Sequence, residues 1–311
     1  MILQSIDKFL VNELLSIIMD KFGIPSLEKN SSQNNQLSKI NSTSSLPLQA
    51  IQNWFDEYYN QFLNLPSLNT DDLDAIQLKY DHSYRVMKEM DVIVNSLKDT
   101  YNLTSSDIDQ AKIIGLLHDV ARFFQYTKYH TMNDSISEDH GDLGVKILRD
   151  TPLIQNLPEN IQKEIFSAVA AHNKIKIPPN LNPRELLFTQ MIRDADKLDV
   201  FHLACPIYRD FPDQLGEKLK LHLPSRGDPN TAIINAFFNH TPISFSEIRN
   251  MTDFKILQMA WVFDFNFRIS VEMCHQRGYL ATIFNSLPVF SQKKDLWEDI
   301  TSYIETKLHS R

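Results

Sequence analysis

Apolar residues recur along most of this chain at the three- and four-residue spacing of an α-helix, seldom at every second position. Leu48 to Leu63 predicts one helix, and Val86, Met90, Ile93 and Leu97 form the stripe of another. Ser106 and Asp109 have capping-box spacing and open a predicted helix carrying Ile113, Leu117, Val120 and Phe124. Residues 125–138 break the pattern and predict a loop. Leu143 and Ile147 mark a short helix, and Pro158-Glu159 opens one with Ile161, Ile165 and Ala168. Pro178, Pro179 and Pro183 separate it from a helix running from about Glu185 to Leu203. A loop over 210–230 follows, then helices near 231–239, across 244–287 with breaks, and over 291–309. The expected fold is all-α.

The two ends of the pattern differ. Ile2, Ile6, Phe9, Leu10, Leu14 and Ile17 predict an amphipathic N-terminal helix within residues 1–29. Asp7, Glu13 and Asp20 interrupt it, which argues against a signal peptide. Its apolar stripe suits packing on the body or on a second copy, a possible homo-oligomer, better than membrane attachment. Residues 30–45 (NSSQNNQLSKINSTSS) hold too few apolar groups to offset the entropy of ordering, and predict a flexible linker. Residues 46–311 form the main domain.

Composition sharpens this reading. The 311-residue chain has only 7 glycines. Phosphate-binding glycine loops and tight hairpins need glycine, so nucleotide-binding α/β folds and all-β folds are disfavoured. A net charge of −8 disfavours generic nucleic-acid binding. It leaves open a small phosphorylated substrate whose charge a metal would balance. Cys205 and Cys274 stand alone, so a reducing, cytoplasmic setting is expected. No run of 18 apolar residues suggests a transmembrane segment.

Against this background five polar segments stand out: Asp81-His82, His118-Asp119, Asp139-His140, His172-Asn173 and Asp194-Ala195-Asp196. His82 precedes Val86 by four, His118 follows Ile114 by four, and His140 precedes Leu143 by three. His172 follows Ala168 by four, and Asp196 follows Ile192 by four. These offsets place imidazoles and carboxylates on core-facing sides of helices. Unpaired, each would cost several kcal/mol to bury. A metal removes that cost, and helical bundles build metal sites in this way. His130, His202, His222, His240 and His275 lack the pattern. Spacing alone does not decide between Asp194 and Asp196.

The order His82, His118-Asp119, Asp196 resembles the HD superfamily of metal-dependent phosphohydrolases. His140 and His172 resemble the additional ligands of its two-metal branch. LLHDVARFFQ at 116–125, DHGDLGVKIL at 139–148, AHNK at 171–174, IRDADKLDVF at 192–201 and WVFDFNF at 261–267 resemble a family of bacterial cytosolic HD proteins. The resemblance starts near residue 48. It implies an HD-domain helical bundle with additional C-terminal helices. It also implies two divalent transition-metal ions (Mn, Fe, Co, Ni or Zn). His82, His118, Asp119 and Asp196 would hold one; Asp119 would bridge to a second, completed by His140 and His172. The Ala-Asp-x-Leu context favours Asp196 over Asp194. Ala121 stands where such proteins often carry glycine, and no Gly-Tyr-Pro motif accompanies the pair.

Two ions about 3.5–4 Å apart share a hydroxide and clamp a phosphoryl oxygen. The expected activity is hydrolysis of a phosphate ester: a nucleotide, a cyclic dinucleotide or a phosphomonoester. Catalytic candidates are Asp119, Arg122 and Lys197. Candidates for binding a nucleotide-like substrate are Arg122, Asn173, Lys174 and Arg193. The loop 125–138, with Tyr126, Lys128 and Tyr129, is expected to cover the site. The same ligand set serves diiron oxygenases of the superfamily, which is the alternative; a non-catalytic binding module fits less well because all six ligands are present.

Overall fold

A computed structural model describes residues 46–66, 68–210 and 223–309. The N-terminal helix and linker predicted over 1–45, and His222, lie outside the described residues. Every regular element among the described residues is helical. The elements are α1 (Leu48–Leu63), α2 (Thr70–Tyr101), α3 (Ser105–Leu117), α4 (Ala121–Tyr129), α5 (His140–Arg149), α6 (Pro152–Gln155) and α7 (Glu159–Ala171). They continue with α8 (Pro183–Asp210), α9 (Thr231–Phe238), α10 (Met251–Ala260), α11 (Arg268–Gln276), α12 (Tyr279–Asn285) and α13 (Lys293–His309). Two 3₁₀ turns, Phe245–Glu247 and Trp261–Asp264, flank α10.

Capping explains where α2 and α3 begin and end. Asn69 and Asp72 form a capping box that opens α2, and Asn102 closes it in the left-handed region at φ 52. Thr104 and Asp107 form the box that opens α3. The sequence contains two overlapping boxes, and the earlier one wins over Ser106/Asp109. The left-handed turn at Asn102 leaves two residues, and the second of them is the cap.

Helix α8 is the hub. It packs against α2, α3 and α7 on one side and against α11 and α12 on the other. It also runs beyond the expected stop at Leu203, through Pro206 to Asp210. Proline removes one backbone donor, but Ile207 and Tyr208 are buried and hold the added turn in the core. Gly115 lets α3 cross α2 closely. A Cβ there would lie 2.8 Å from the Met87 Cα, so a larger residue would push apart the helices carrying His82 and His118.

The predicted loop 125–138 is shorter than expected. Helix α4 continues to Tyr129 and stops at His130, which is left-handed at φ 50. The broken stretch 244–287 resolves into the 3₁₀ turns, α10, α11 and α12.

Candidate metal centre

Helices α2, α3, α5, α7 and α8 bring five buried or nearly buried side chains and Asp196 to one point. His82 lies inside α2. His118 and His172 end α3 and α7, and His140 opens α5. Asp119 sits in the tight link between α3 and α4, where the Arg122 amide donates to its carbonyl at 2.9 Å. Gly141 allows α5 to begin against the end of α7. A Cβ there would meet the Val169 carbonyl oxygen and Asn173 Oδ1, each at 2.9 Å.

The side chains form two groups that share Asp119. His82 Nε2 and His118 Nε2 lie 3.5 and 3.7 Å from its Oδ2. His140 Nε2 and His172 Nε2 lie 3.3 and 3.7 Å from its Oδ1. Asp196 Oδ1 joins the first group, 3.2 Å from His82 Nε2 and 3.9 Å from His118 Nε2. Asp194, the rival from spacing, faces the other way. It is buried and accepts from the Asn266 and Phe267 amides at 3.0 and 3.1 Å.

The outer nitrogens fix the tautomers. His82 Nδ1 donates to Asp199 Oδ2 at 2.6 Å, and His140 Nδ1 to Asp134 Oδ2 at 2.7 Å. His118 Nδ1 and His172 Nδ1 donate to the carbonyls of Gly115 and Val169 at 2.8 and 2.7 Å. Carboxylates and carbonyls only accept, so these nitrogens carry the protons. All four Nε2 atoms therefore present lone pairs inward. Yet His82 and His118 meet Nε2 to Nε2 at 3.2 Å, and His140 and His172 at 2.9 Å. Facing lone pairs repel unless a cation lies among them. Asp196 Oδ1 is buried and accepts no hydrogen bond. The donor set thus fits divalent cations, and the groupings that could hold one include His82/His118/Asp119, His118/His172/Asp196 and Asp119/His140/His172.

Electrostatics agree for His118 and His140; at His82 burial and Lys79 lower the imidazole, but Asp196 and Asp199 outweigh them and favour its charged form until a cation replaces the proton. Burial lowers the His118 imidazole to about 3 and the His140 imidazole to about 4, so both stay neutral near pH 7. Asp119 remains ionised despite burial, because Lys79, His118 and Arg122 hold its carboxyl well below the usual range.

Several important residues escaped the sequence reading. Lys79, one turn before His82, is buried and donates to Asp119 Oδ2 at 2.8 Å. Asp199 orients His82 and is itself held by Arg85 at 2.7 Å. Asp134 orients His140. The spacing of Asp196 and Asp199, three apart on α8, was a signal that both carboxylates share a face; Asp134 sits in a loop and offered none.

The other candidates separate. Arg122 points inward: Nε lies 3.4 Å from Asp119 Oδ1 and Nη2 3.2 Å from His140 Nε2. Its Nη1 is anchored by Gln125 and the Met132 carbonyl. Asn173 donates to Asp139 at 3.0 Å while its Oδ1 stays buried without a partner. Lys174 pairs with Asp139 and Asp142 at the rim. Arg193 is spent on the carbonyls of Ala171, His172 and Lys174. Lys197 pairs with Asp264.

A cleft of about 300 Å³ opens from this centre, and Lys79, Arg122, Asn173, Lys174, Arg193 and Lys197 all face it. The expected cover does not. No residue of 125–138 lines the cleft. Lys128 and Tyr129 instead bond Glu138, and the far wall comes from residues 240–264.

No helix among the described residues is long and apolar enough to cross a membrane. Neither the curated proteins nor the solved structures gave a match to this chain. The family model described as HD domain matches residues 80–200, the stretch that contains His82, His118-Asp119, His140, His172 and Asp196. Helical architecture, inward imidazoles and this match agree: over residues 80–200 the chain is similar to HD domains, and its buried His/Asp groups are consistent with an HD metal site.

Proposed function

We propose that the protein is a metal-dependent phosphohydrolase that cleaves a phosphate ester at a two-metal centre. The observation that carries this reading is the division of Asp119: one carboxylate oxygen faces His82 and His118, and the other faces His140 and His172. His82, His118, Asp119 and Asp196 would hold one ion; Asp119, His140 and His172 would hold the other. Mn, Fe, Co, Ni and Zn all suit these ligands. When bound, such ions supply Lewis acidity toward a phosphoryl oxygen and acidify water.

The chain's own groups do the rest. Asp199 and Asp134 keep the protons of His82 and His140 on Nδ1, so that each Nε2 stays a ligand. Lys79 and Arg122 present positive charge beside Asp119, where a phosphoryl group would lie. Lys197, tied to Asp264, belongs to the rim rather than to the reacting atoms. The free thiols of Cys205 and Cys274 are buried, and we place the protein in the cytoplasm.

The test is a phosphoester screen of metal-reconstituted protein, run aerobically and anaerobically. Turnover independent of oxygen is expected. Oxygen-dependent turnover would replace this reading with a diiron oxygenase.

A further inference from the structure

The far wall of the cleft is made of a different material from the metal end. It is lined by Ile175, Val200, Ile243, Leu257, Trp261 and Phe263. Three polar side chains on this wall are already paired: His240 with Asp299 at 2.9 Å, Thr241 with the Ala236 carbonyl at 3.2 Å, and Asp264 with Lys197. His240 is also stacked on Phe263, with ring centroids 3.9 Å apart. The wall therefore offers mainly apolar surface, with the Trp261 indole N–H as its one neutral side-chain donor without a partner among the described residues.

It is also rigidly registered to the centre. Val200 lies four residues after Asp196 on α8, about 6 Å of helix rise. Phe201 meets Trp261 edge-on at 5.8 Å and stacks on Tyr279 at 5.9 Å. Lys197 pairs with Asp264, and Asp194 accepts from Asn266 and Phe267. Asp194, Lys197 and Phe201 of α8 thus fix segment 261–267 alongside this helix. A ligand whose charged head reaches Asp196 would lay its next group on this wall.

From this juxtaposition we propose that the cleft takes phosphate monoesters of aryl or otherwise apolar alcohols, with the ester body against Trp261 and its neighbours. The assignment rests on the phosphohydrolase reading. A hydrophilic alcohol would leave most of this wall covered only by water, whereas an apolar ester body would displace that water. Volume points the same way: about 300 Å³ exceeds a phosphoryl group and leaves room for one organic substituent. In the reaction, water oxygen forms the new P–O bond and the ester P–O bond breaks. The alcohol oxygen leaves with a proton from that water, giving free alcohol and inorganic phosphate.

The test uses the full chain reconstituted with Mn²⁺ and two non-hydrolysable probes, methylphosphonate and 2-naphthylmethylphosphonate. Binding is read by calorimetry, with phosphoester turnover measured in parallel. The wild type is expected to bind the naphthyl probe at least ~10-fold more tightly than the methyl probe. Trp261→Ala should collapse that ratio to about threefold or less. Ile175→Ser, at a position 40 % exposed, should lower it about two- to threefold, and serves if the tryptophan variant does not fold. Equal binding of the two probes by the wild type, with turnover intact, would overturn the apolar wall alone. A ratio unchanged in both variants would overturn its placement. A retained preference without turnover of any phosphoester would instead sink the phosphohydrolase reading, and the substrate assignment with it.

Discussion

The HD-like stretch over residues 80–200 and the segment after residue 231 build one cleft from opposite chemistry. The first buries His82, His118, Asp119, His140 and His172, groups that water would normally keep. The second adds Ile243, Leu257, Trp261 and Phe263. Buried polarity on one side has a cost that only partners can offset, so each buried group has its own support: Asp199 and Arg85 at His82, Asp134 at His140, Lys79 at Asp119, and backbone carbonyls at His118 and His172. Apolar surface on the other side has no such need, and its geometry is set by ties to α8. The contrast assigns chemistry to one region and fit to the other, and substitutions in the two should fail differently.

The largest effect should come from Asp119→Ala. It removes the oxygens that both ligand groups share, so phosphoester turnover should fall by about 10³-fold or more and both ions should be lost together. Wild-type turnover in this variant would refute the site. Next, Asp199→Asn and Asp134→Asn leave the ligands in place but weaken the hold on His82 and His140. Metal titration should show affinity lower by roughly 10- to 100-fold, selectively for the ion each histidine serves.

Acid should strike the metal half first. In metal-free protein His118 titrates at about 3 and His140 at about 4, against 6.5 for an unperturbed imidazole. Between those values the unfolded chain binds protons that the folded chain refuses, so stability falls as pH drops below 6.5. His140 alone accounts for on the order of 3 kcal/mol by pH 4. His82 acts in the opposite direction: burial and Lys79 lower it, but Asp196 and Asp199 more than offset them and leave it raised. The depressed pair sets the expected direction: acidification should lower stability. Urea melts of metal-free protein at pH 7 and pH 4.5 would show it, and equal midpoints would contradict it.

Smaller effects belong to the wall and the periphery. Asp264→Ala unties Lys197 and loosens segment 261–267, so KM should rise a few-fold with kcat little changed. His202 is exposed and outside the cluster, and His202→Ala should leave turnover near wild type. Deleting residues 1–45 should leave metal content and turnover within a few-fold, because every proposed ligand lies beyond residue 80. Elemental analysis of the truncated protein checks this; released metal would move the boundary.

The same contrast explains what the sequence disclosed. His82, His118, His140 and Asp196 sit at fixed helical offsets from core residues, so local periodicity exposed them. Asp199 meets His82 across 117 residues, and Asp134 reaches His140 from a loop. Partnerships of that kind depend on how helices pack, which no window of sequence encodes. The wall shows the limit most clearly. In the sequence, Trp261 and Phe263 stand out only as part of the WVFDFNF resemblance, and the ties from α8 place them on the cleft wall. Loop 125–138 was given the covering role because it was adjacent in sequence; in space it supports Arg122 and His140 from behind.

The central claim is that two buried ligand groups share Asp119 between two ions. Elemental analysis of reconstituted wild type beside His140→Ala tests it most directly. The account predicts about two transition-metal ions per chain in the wild type and about one in the variant, whose first group stays intact. A wild-type content below ~0.5 ions per chain after reconstitution, or equal content in both proteins, would contradict it.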